Sequence, residues 1–229
     1  MQSAQDSDTS RLETFADGVM AIAITLLILD VHIPHVRPGD SLLHALAHQW
    51  PSYAGYVVSF LTIGIMWVNH HHMFKLIERS NHTFLMLNVV FLMAIAAVPW
   101  PTALVASAAH DAHQRTVAAV VYGVVMVFVA IMFNVVWRYA ARDGRLLVAN
   151  VDLQAVERIN RSYLFGPAAY VTATLVALAN SWASLALYAG LAVYWMLPGT
   201  SRPSATLLVQ PPSSASQPDG PSVVPDETQ

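Results

Sequence analysis

Cysteine is absent from the 229-residue chain. That excludes a disulfide scaffold, thiol catalysis and Cys-ligated zinc or iron–sulfur centres, and it leaves the redox compartment undetermined. Charge is scarce as well. Only 11% of the residues are Asp, Glu, Lys or Arg, against roughly 25% in an average soluble domain. A water-soluble globule cannot cover its surface with so few ions, which argues against a soluble enzyme. The net charge of −3 offers no basic footprint for nucleic acid. What abounds is apolar: 55% of the residues are hydrophobic and the mean hydropathy is +0.49. The chain reads as an integral membrane protein.

The first ten residues, MQSAQDSDTS, are polar and acidic. They lack the positive n-region, short apolar core and cleavage site of a secretory signal, and a free, disordered tail is expected over 1–10. Six apolar segments follow, at about 12–34, 52–74, 83–106, 116–138, 163–180 and 182–198. A bilayer core about 30 Å thick needs roughly 20 helical residues, a length the segments meet, although the last two are short. Only Asn180-Ser181-Trp182 separates those two, which predicts a tight helical hairpin. Helices are favoured over a membrane β-barrel because the runs are continuously apolar rather than alternating. Pro51, Pro99, Pro101, Pro167 and Pro198 fall at or near segment ends, where a helix break costs least. From about Pro198 the chain turns Pro- and Ser-rich, and residues 199–229 are expected to be disordered. The fold class expected is therefore an all-α membrane protein with six transmembrane helices over 11–198 and a tail at each end.

Basic residues set the orientation. With the N-terminus in the cytoplasm, six spans place nine of the 11 Lys and Arg residues inside and leave only Arg37 and Arg115 outside. The positive-inside rule prefers that arrangement, with both termini cytoplasmic. The stretch 138–161 carries five of the nine, together with Asp143, Asp152 and Glu157, and reads as a solvated, partly helical cytoplasmic linker.

The first apolar segment reads RLETFADGVMAIAITLLILDVHIP. Thr14 or Ser10 is placed to cap it and Pro34 to end it. Asp17 and Asp30 bracket its apolar stretch, roughly 20 Å apart at 1.5 Å per residue. Carboxylates at that depth are costly and face protein or water, so this helix is not lipid-facing all round. A helical wheel gathers Gly18, Ile22, Thr25, Leu26, Leu29 and Ile33 into one narrow sector. Such a stripe serves helix–helix packing more often than it serves a hydrophobic constriction that gates a pore by dewetting, and spacing alone does not decide between them.

The second segment ends SFLTIGIMWVNHHHMFKLIER. Tyr56, Phe60, Gly64, Trp67, His70 or His71, and Phe74 share one face. Three consecutive histidines diverge by about 100° each on a helix, so they do not converge on one metal, and none is expected. Antiparallel packing brings the start of the first span and the end of the second to the same face of the membrane, which permits contact between Asp17 and His70 or His71.

These two segments carry a resemblance. Arg11-x-x-x-Phe15-Ala16-Asp17-Gly18, then Ala21-Ile22-x-x-Thr25-Leu26 and Pro34, resembles the first-helix signature of the transmembrane protein 175 family of potassium channels. Ser59-Phe60…Gly64-x-x-Trp67-x-x-His70-His71-x-x-Phe74 is similar to the second helix of that family. The family signature has Ser where this chain has Ala16, so one hydroxyl is missing from the polar network expected to tie the two helices. Arg11, Phe15, Asp17, Trp67, His70 and His71 would hold it. The resemblance implies a prokaryotic, single-repeat channel in the plasma membrane, assembled as a homotetramer with four first helices around the axis. Ile22 would form the narrowest apolar ring, Leu26 and Leu29 further rings, and Thr25 a polar contributor beside the constriction. Potassium is the implied permeant ion, with modest selectivity and no cofactor, and membrane lipid and copies of the same chain are the implied partners. Asp30 would draw cations into the outer vestibule and Asp17 into the inner one.

Two other classes fit parts of the sequence. A proton- or ion-coupled secondary transporter would use the histidines as a relay, although the paired broken spans of inverted repeats are not evident. A membrane enzyme or haem protein needs ligands opposed on two helices, and apart from 70–72 the histidines fall at segment ends or in loops.

Overall fold

The computed structural model describes residues 2–197, apart from 37, 40, 150 and 152. The tail expected over 199–229 lies outside the described residues, as does Arg37 of the charge count. The elements are α1 (Gln2–Leu26), continued by a 3-10 turn (Leu27–Asp30), then α2 (Leu42–His48), α3 (Trp50–Phe74), α4 (His82–Ala96), α5 (Pro99–Ala108), α6 (Ala112–Ala141), α7 (Leu153–Ala179) and α8 (Ser181–Met196). Among the described residues the only β pairing is an isolated bridge between Ile77 and Leu147.

Five stretches are long and apolar enough to cross a membrane: Thr9–Asp30, Trp50–Phe74, His82–Ala108, Ala112–Gly144 and Val156–Ala179. The sixth expected segment is α8, whose 16 residues extend only about 24 Å. It turns back from α7 at Asn180, whose side chain caps it by accepting from the Ala183 N–H. The expected helical hairpin is therefore present. The backbone of α1 is helical from Gln2, where a free tail was expected over 1–10. Extending an existing helix costs far less than nucleating one, so a polar segment can continue a helix that the apolar residues have started.

Proline explains two local breaks. Pro99 and Pro101 lack the N–H groups that would bond the carbonyls of Ile95 and Ala97. Those carbonyls are taken one residue early, by the Val98 N–H at 3.1 Å and the Trp100 N–H at 3.2 Å. The third apolar segment thus bends between α4 and α5 instead of running straight to its end. Pro167 lies inside α7 rather than at its edge, and it leaves the Tyr163 carbonyl without an intrahelical donor. Asn134 of α6 supplies the donor, its Nδ2 bonding Tyr163 O at 2.9 Å and Ala130 O at 3.0 Å.

The core lies where α1, α3, α4 and α6 meet, around Met20, Ile63, Phe84, Phe91, Met126 and Trp137, all almost fully buried. The Trp137 indole donates to Asn160 Oδ1 at 2.8 Å and joins α6 to α7. The linker expected to be solvated is largely structured: α6 runs on to Ala141, and Leu146 and Leu147 are buried. Glu78 N bonds Leu146 O at 2.9 Å and Val148 N bonds Leu76 O at 3.0 Å. The α3–α4 and α6–α7 connections thereby zip together and close one end of the bundle.

Candidate functional site

The first helix has two unlike faces. Leu12, Ala16, Met20, Ala23 and Leu27 are buried against the rest of the chain, each three or four residues from the last. Small residues at 16 and 23 let α3 and α4 approach closely. The opposite face carries Arg11, Phe15, Gly18, Ile22, Thr25, Leu26 and Leu29. Ile22 is 62% exposed, Leu26 43% and Leu29 67%, and Arg11, Phe15 and Thr25 are exposed as well. None of them is buried within its own chain. Nothing lies within 4 Å of where a side chain on Gly18 would begin. Thr25 donates its hydroxyl hydrogen to Ile22 O at 2.9 Å, which leaves its oxygen lone pairs turned outward.

The helix tightens after Leu26. In a 3-10 turn, residues three apart eclipse, so Leu29 stands directly in line with Leu26. The turn ends at Asp30, where Val31 N bonds Ile28 O. Pro34 was expected to end the helix, and Ile33, grouped with the stripe on that assumption, lies beyond it and is 89% exposed. Asp30 is half-buried, and its backbone carbonyl meets His32 Nδ1 at 2.9 Å.

The other edge of α1 is tethered to α3. Trp67 Nε1 donates to Asp17 Oδ1 at 2.8 Å, and His71 Nδ1 meets Glu13 Oε1 at 2.7 Å. The two pairs sit one turn apart on each helix and run in opposite senses, as an antiparallel register requires. The Trp67 and His71 rings stack at 6.2 Å. Asp17 was expected to meet His70 or His71, but Trp67 takes it, and the acid that meets a histidine is Glu13, one turn earlier. His70 points the other way, into α4. It is 1% exposed, lies against Phe74 and Phe91, and bonds Asn88 Oδ1 at 3.2 Å. Asn88 Nδ2 is donated to Phe84 O, so its oxygen is the acceptor and His70 Nε2 carries the hydrogen. Arg11 and Phe15, expected in this network, stand on the exposed face instead. Ala16, at the position of the family's Ser, is fully buried, so a hydroxyl there would face the core and not the Asp17–Trp67 bond.

Glu13 and Asn88 were missed from sequence. Glu13 was open to discovery: it sits at i−4 from Asp17, on the same helical edge. Asn88, a polar residue inside the apolar run of α4, was the sign of a buried partner. Among the described residues no three His, Asp or Glu side chains are grouped to hold a metal ion.

Replacing Trp67 with Phe keeps the ring and removes the N–H. A hydrogen bond to a charged group contributes more than a neutral one, but this one is half in solvent. A loss of about 1 kcal/mol is expected, read from denaturant unfolding in detergent. Adding Asp17→Asn to Trp67→Phe should cost less than the two single losses combined, because they share one bond.

The fold and the site define an α-helical membrane bundle whose first helix leaves an apolar stripe exposed on its own chain. The comparisons name the family. The profile described as endosomal/lysosomal potassium channel TMEM175 matches residues 11–99, the region of both helices described above. A protein from Streptomyces collinus named a potassium channel is 43% identical over 189 residues, covering 82% of this chain and 92% of that one. A second so named, from Chamaesiphon minutus, is 40% identical over 200 residues, covering 86% and 98%. The crystal structure of a lysosomal potassium-selective channel TMEM175 homolog from Chamaesiphon minutus superposes with a TM-score of 0.75 at 39% identity, covering 82% of this chain and 96% of that one. The chain belongs to the TMEM175 family, a channel class rather than an enzyme class.

Proposed function

We propose that this protein is a passive, modestly selective potassium channel of a prokaryotic plasma membrane, built as a homotetramer with one α1 from each copy around a central axis. The observation that carries the reading is the division of α1: one face buried against the chain and tethered to α3, the other a line of Ile22, Thr25, Leu26 and Leu29 left exposed. The family membership and the names of the bacterial relatives support it.

In this reading the domain spans residues 11–198 with six crossings, α8 being the short sixth, and both termini lie in the cytoplasm, as the basic residues favour. Ile22 forms the tightest ring and Leu26 and Leu29 widen it outward. Ions shed part of their hydration there, and the difference in that cost between potassium and sodium sets the selectivity. Asp30 concentrates cations at the outer mouth. Asp17 is engaged by Trp67 and holds the pore helix to its neighbour, with Glu13 and His71 beside it.

Flux into liposomes reconstituted with the full chain tests this. Downhill potassium flux exceeding sodium flux, without a coupled substrate, is expected. Flux that requires a proton gradient or a second solute would overturn it in favour of a secondary transporter.

A further inference from the structure

A cavity lies away from the α1 face, between α3, α5, α6 and α8, with a volume of about 290 Å³. Small residues hollow it out: Ala54 and Gly55 on α3 face Ala186 and Ala189 on α8. Polar groups at its floor are satisfied among themselves. Ser59 Oγ and Thr102 Oγ1 pair at 2.8 Å, Thr102 donates onward to Val98 O, and the Tyr188 hydroxyl pairs with Thr174 Oγ1 at 3.1 Å. Besides the hydroxyls of Ser59, Thr102, Tyr122 and Tyr188, the lining is apolar, with Pro51, Val58, Val105 and Leu185 beside the small residues, and it suits an alkyl chain.

Its mouth is built differently. Trp50 and Trp182 stack at 5.5 Å with their planes 22° apart, both half-exposed. Tryptophan at that density marks the membrane–water interface. The Arg115 guanidinium lies over the Trp182 ring at 4.5 Å. It is fixed there by Nε donating to Ser181 Oγ at 2.9 Å and Nη1 donating to Ala109 O at 2.8 Å. Two of the five N–H donors of a guanidinium are thereby used, and three remain. Asp111, one turn earlier, uses its carboxylate to cap α6 through the Gln114 N–H. No ion pair to Arg115 forms among the described residues.

We propose that this cavity and Arg115 together form a binding site for one anionic phospholipid per chain, an acyl chain entering between α3 and α8 and the phosphate meeting the guanidinium. A mainly apolar slot of this size accepts one alkyl chain. A rigid guanidinium presents parallel N–H donors that match phosphate geometry, and basic pockets between membrane helices recognise anionic headgroups. A choline headgroup would bring its own cation against Arg115 and be disfavoured. The site does not depend on the channel reading, because none of its residues belongs to the α1 face.

Native mass spectrometry of the full-length protein, stripped of lipid in detergent and titrated with phosphatidylglycerol or phosphatidylcholine, tests the headgroup. Phosphatidylglycerol should bind at least about tenfold tighter than phosphatidylcholine, one per chain, and Arg115→Gln should remove that preference. Fluorescence quenching by phosphatidylglycerol brominated on its acyl chain tests the slot. Quenching should fall by about half in Trp182→Phe and in the cavity-filling Ala186→Leu. Equal binding of the two lipids by the wild type, or a preference that survives Arg115→Gln, overturns the headgroup assignment. Quenching unchanged by both Trp182→Phe and Ala186→Leu overturns the slot.

Discussion

Ile22→Ala is expected to raise potassium flux about tenfold and to bring the potassium-to-sodium flux ratio close to one. Each copy loses three carbons from a side chain that is 62% exposed on its own chain, so in the proposed tetramer four copies would widen the same ring together. A narrow apolar ring excludes hydrated ions because its walls offer no hydrogen bonds to replace those of water. Alanine leaves room for water to remain, so ions keep more of their shell. The barrier then falls, and with it the difference between ions. A tenfold gain in rate corresponds to about 1.4 kcal/mol, a modest demand for so large a change in the opening. Stability should move by less than about 0.5 kcal/mol, as for other exposed positions. Met20, two residues away on the buried face, supplies the contrast. Met20→Ala should cost about 2–5 kcal/mol of stability and leave the flux ratio of the folded protein unchanged. Wild-type flux and selectivity in Ile22→Ala would sink the constriction.

The sequence was most legible where long-range geometry mattered least. Continuous apolar runs located the helices, and Asn180 marked the α7–α8 turn, because burial in a bilayer imposes a length that composition alone reveals, although α1 and α7 each begin ten residues before the expected start, in polar sequence. The stripe on α1 was legible too, since helical periodicity fixes which residues share a face. Which partner each polar residue takes was not. Asp17 had three candidates on α3, and only the register of two antiparallel helices gives it Trp67 and passes His71 to Glu13. His70 was one residue from the pairing residue and so turned about 100° away, into the aromatic box under Asn88. Proline marked breaks without showing how they are repaired: Pro167 sits inside α7 because Asn134, on another helix, bonds the carbonyl it frees. The zipped connections at residues 76–79 and 146–148 depend on two segments far apart in sequence, and nothing local predicts that they meet.

Gly123→Ala should destabilise the protein by about 2 kcal/mol, against the direction helix propensity predicts. In an isolated helix alanine is favoured over glycine by about 1 kcal/mol, and α6 is long and regular at this point. Here, however, a methyl group at 123 would fall onto the Tyr188 hydroxyl and Thr174 Oγ1, with Thr174 Cγ2 only 2.8 Å away. Those two side chains hydrogen-bond each other, and the Tyr188 ring lies 5.0 Å from that of Tyr122 and 6.3 Å from that of Tyr170. Any withdrawal breaks the Tyr188–Thr174 bond and displaces Tyr188 from its tyrosine neighbours toward the α3–α8 cavity that it lines. Overpacking at such a point costs about 1–3 kcal/mol, and taking the upper end, the helix gain offsets only part of it. Two companions make the cause identifiable. Gly190→Ala on α8, where nothing lies within 4 Å, should be neutral or stabilise by up to about 1 kcal/mol. Tyr188→Phe added to Gly123→Ala removes the hydroxyl that the new methyl meets first, and should recover part of the loss even though it also removes the bond to Thr174. Denaturant unfolding in detergent, followed by tryptophan fluorescence, reads all three variants. A Gly123→Ala protein as stable as the wild type would mean that the three helices do not meet as closely as the Tyr188–Thr174 contact requires.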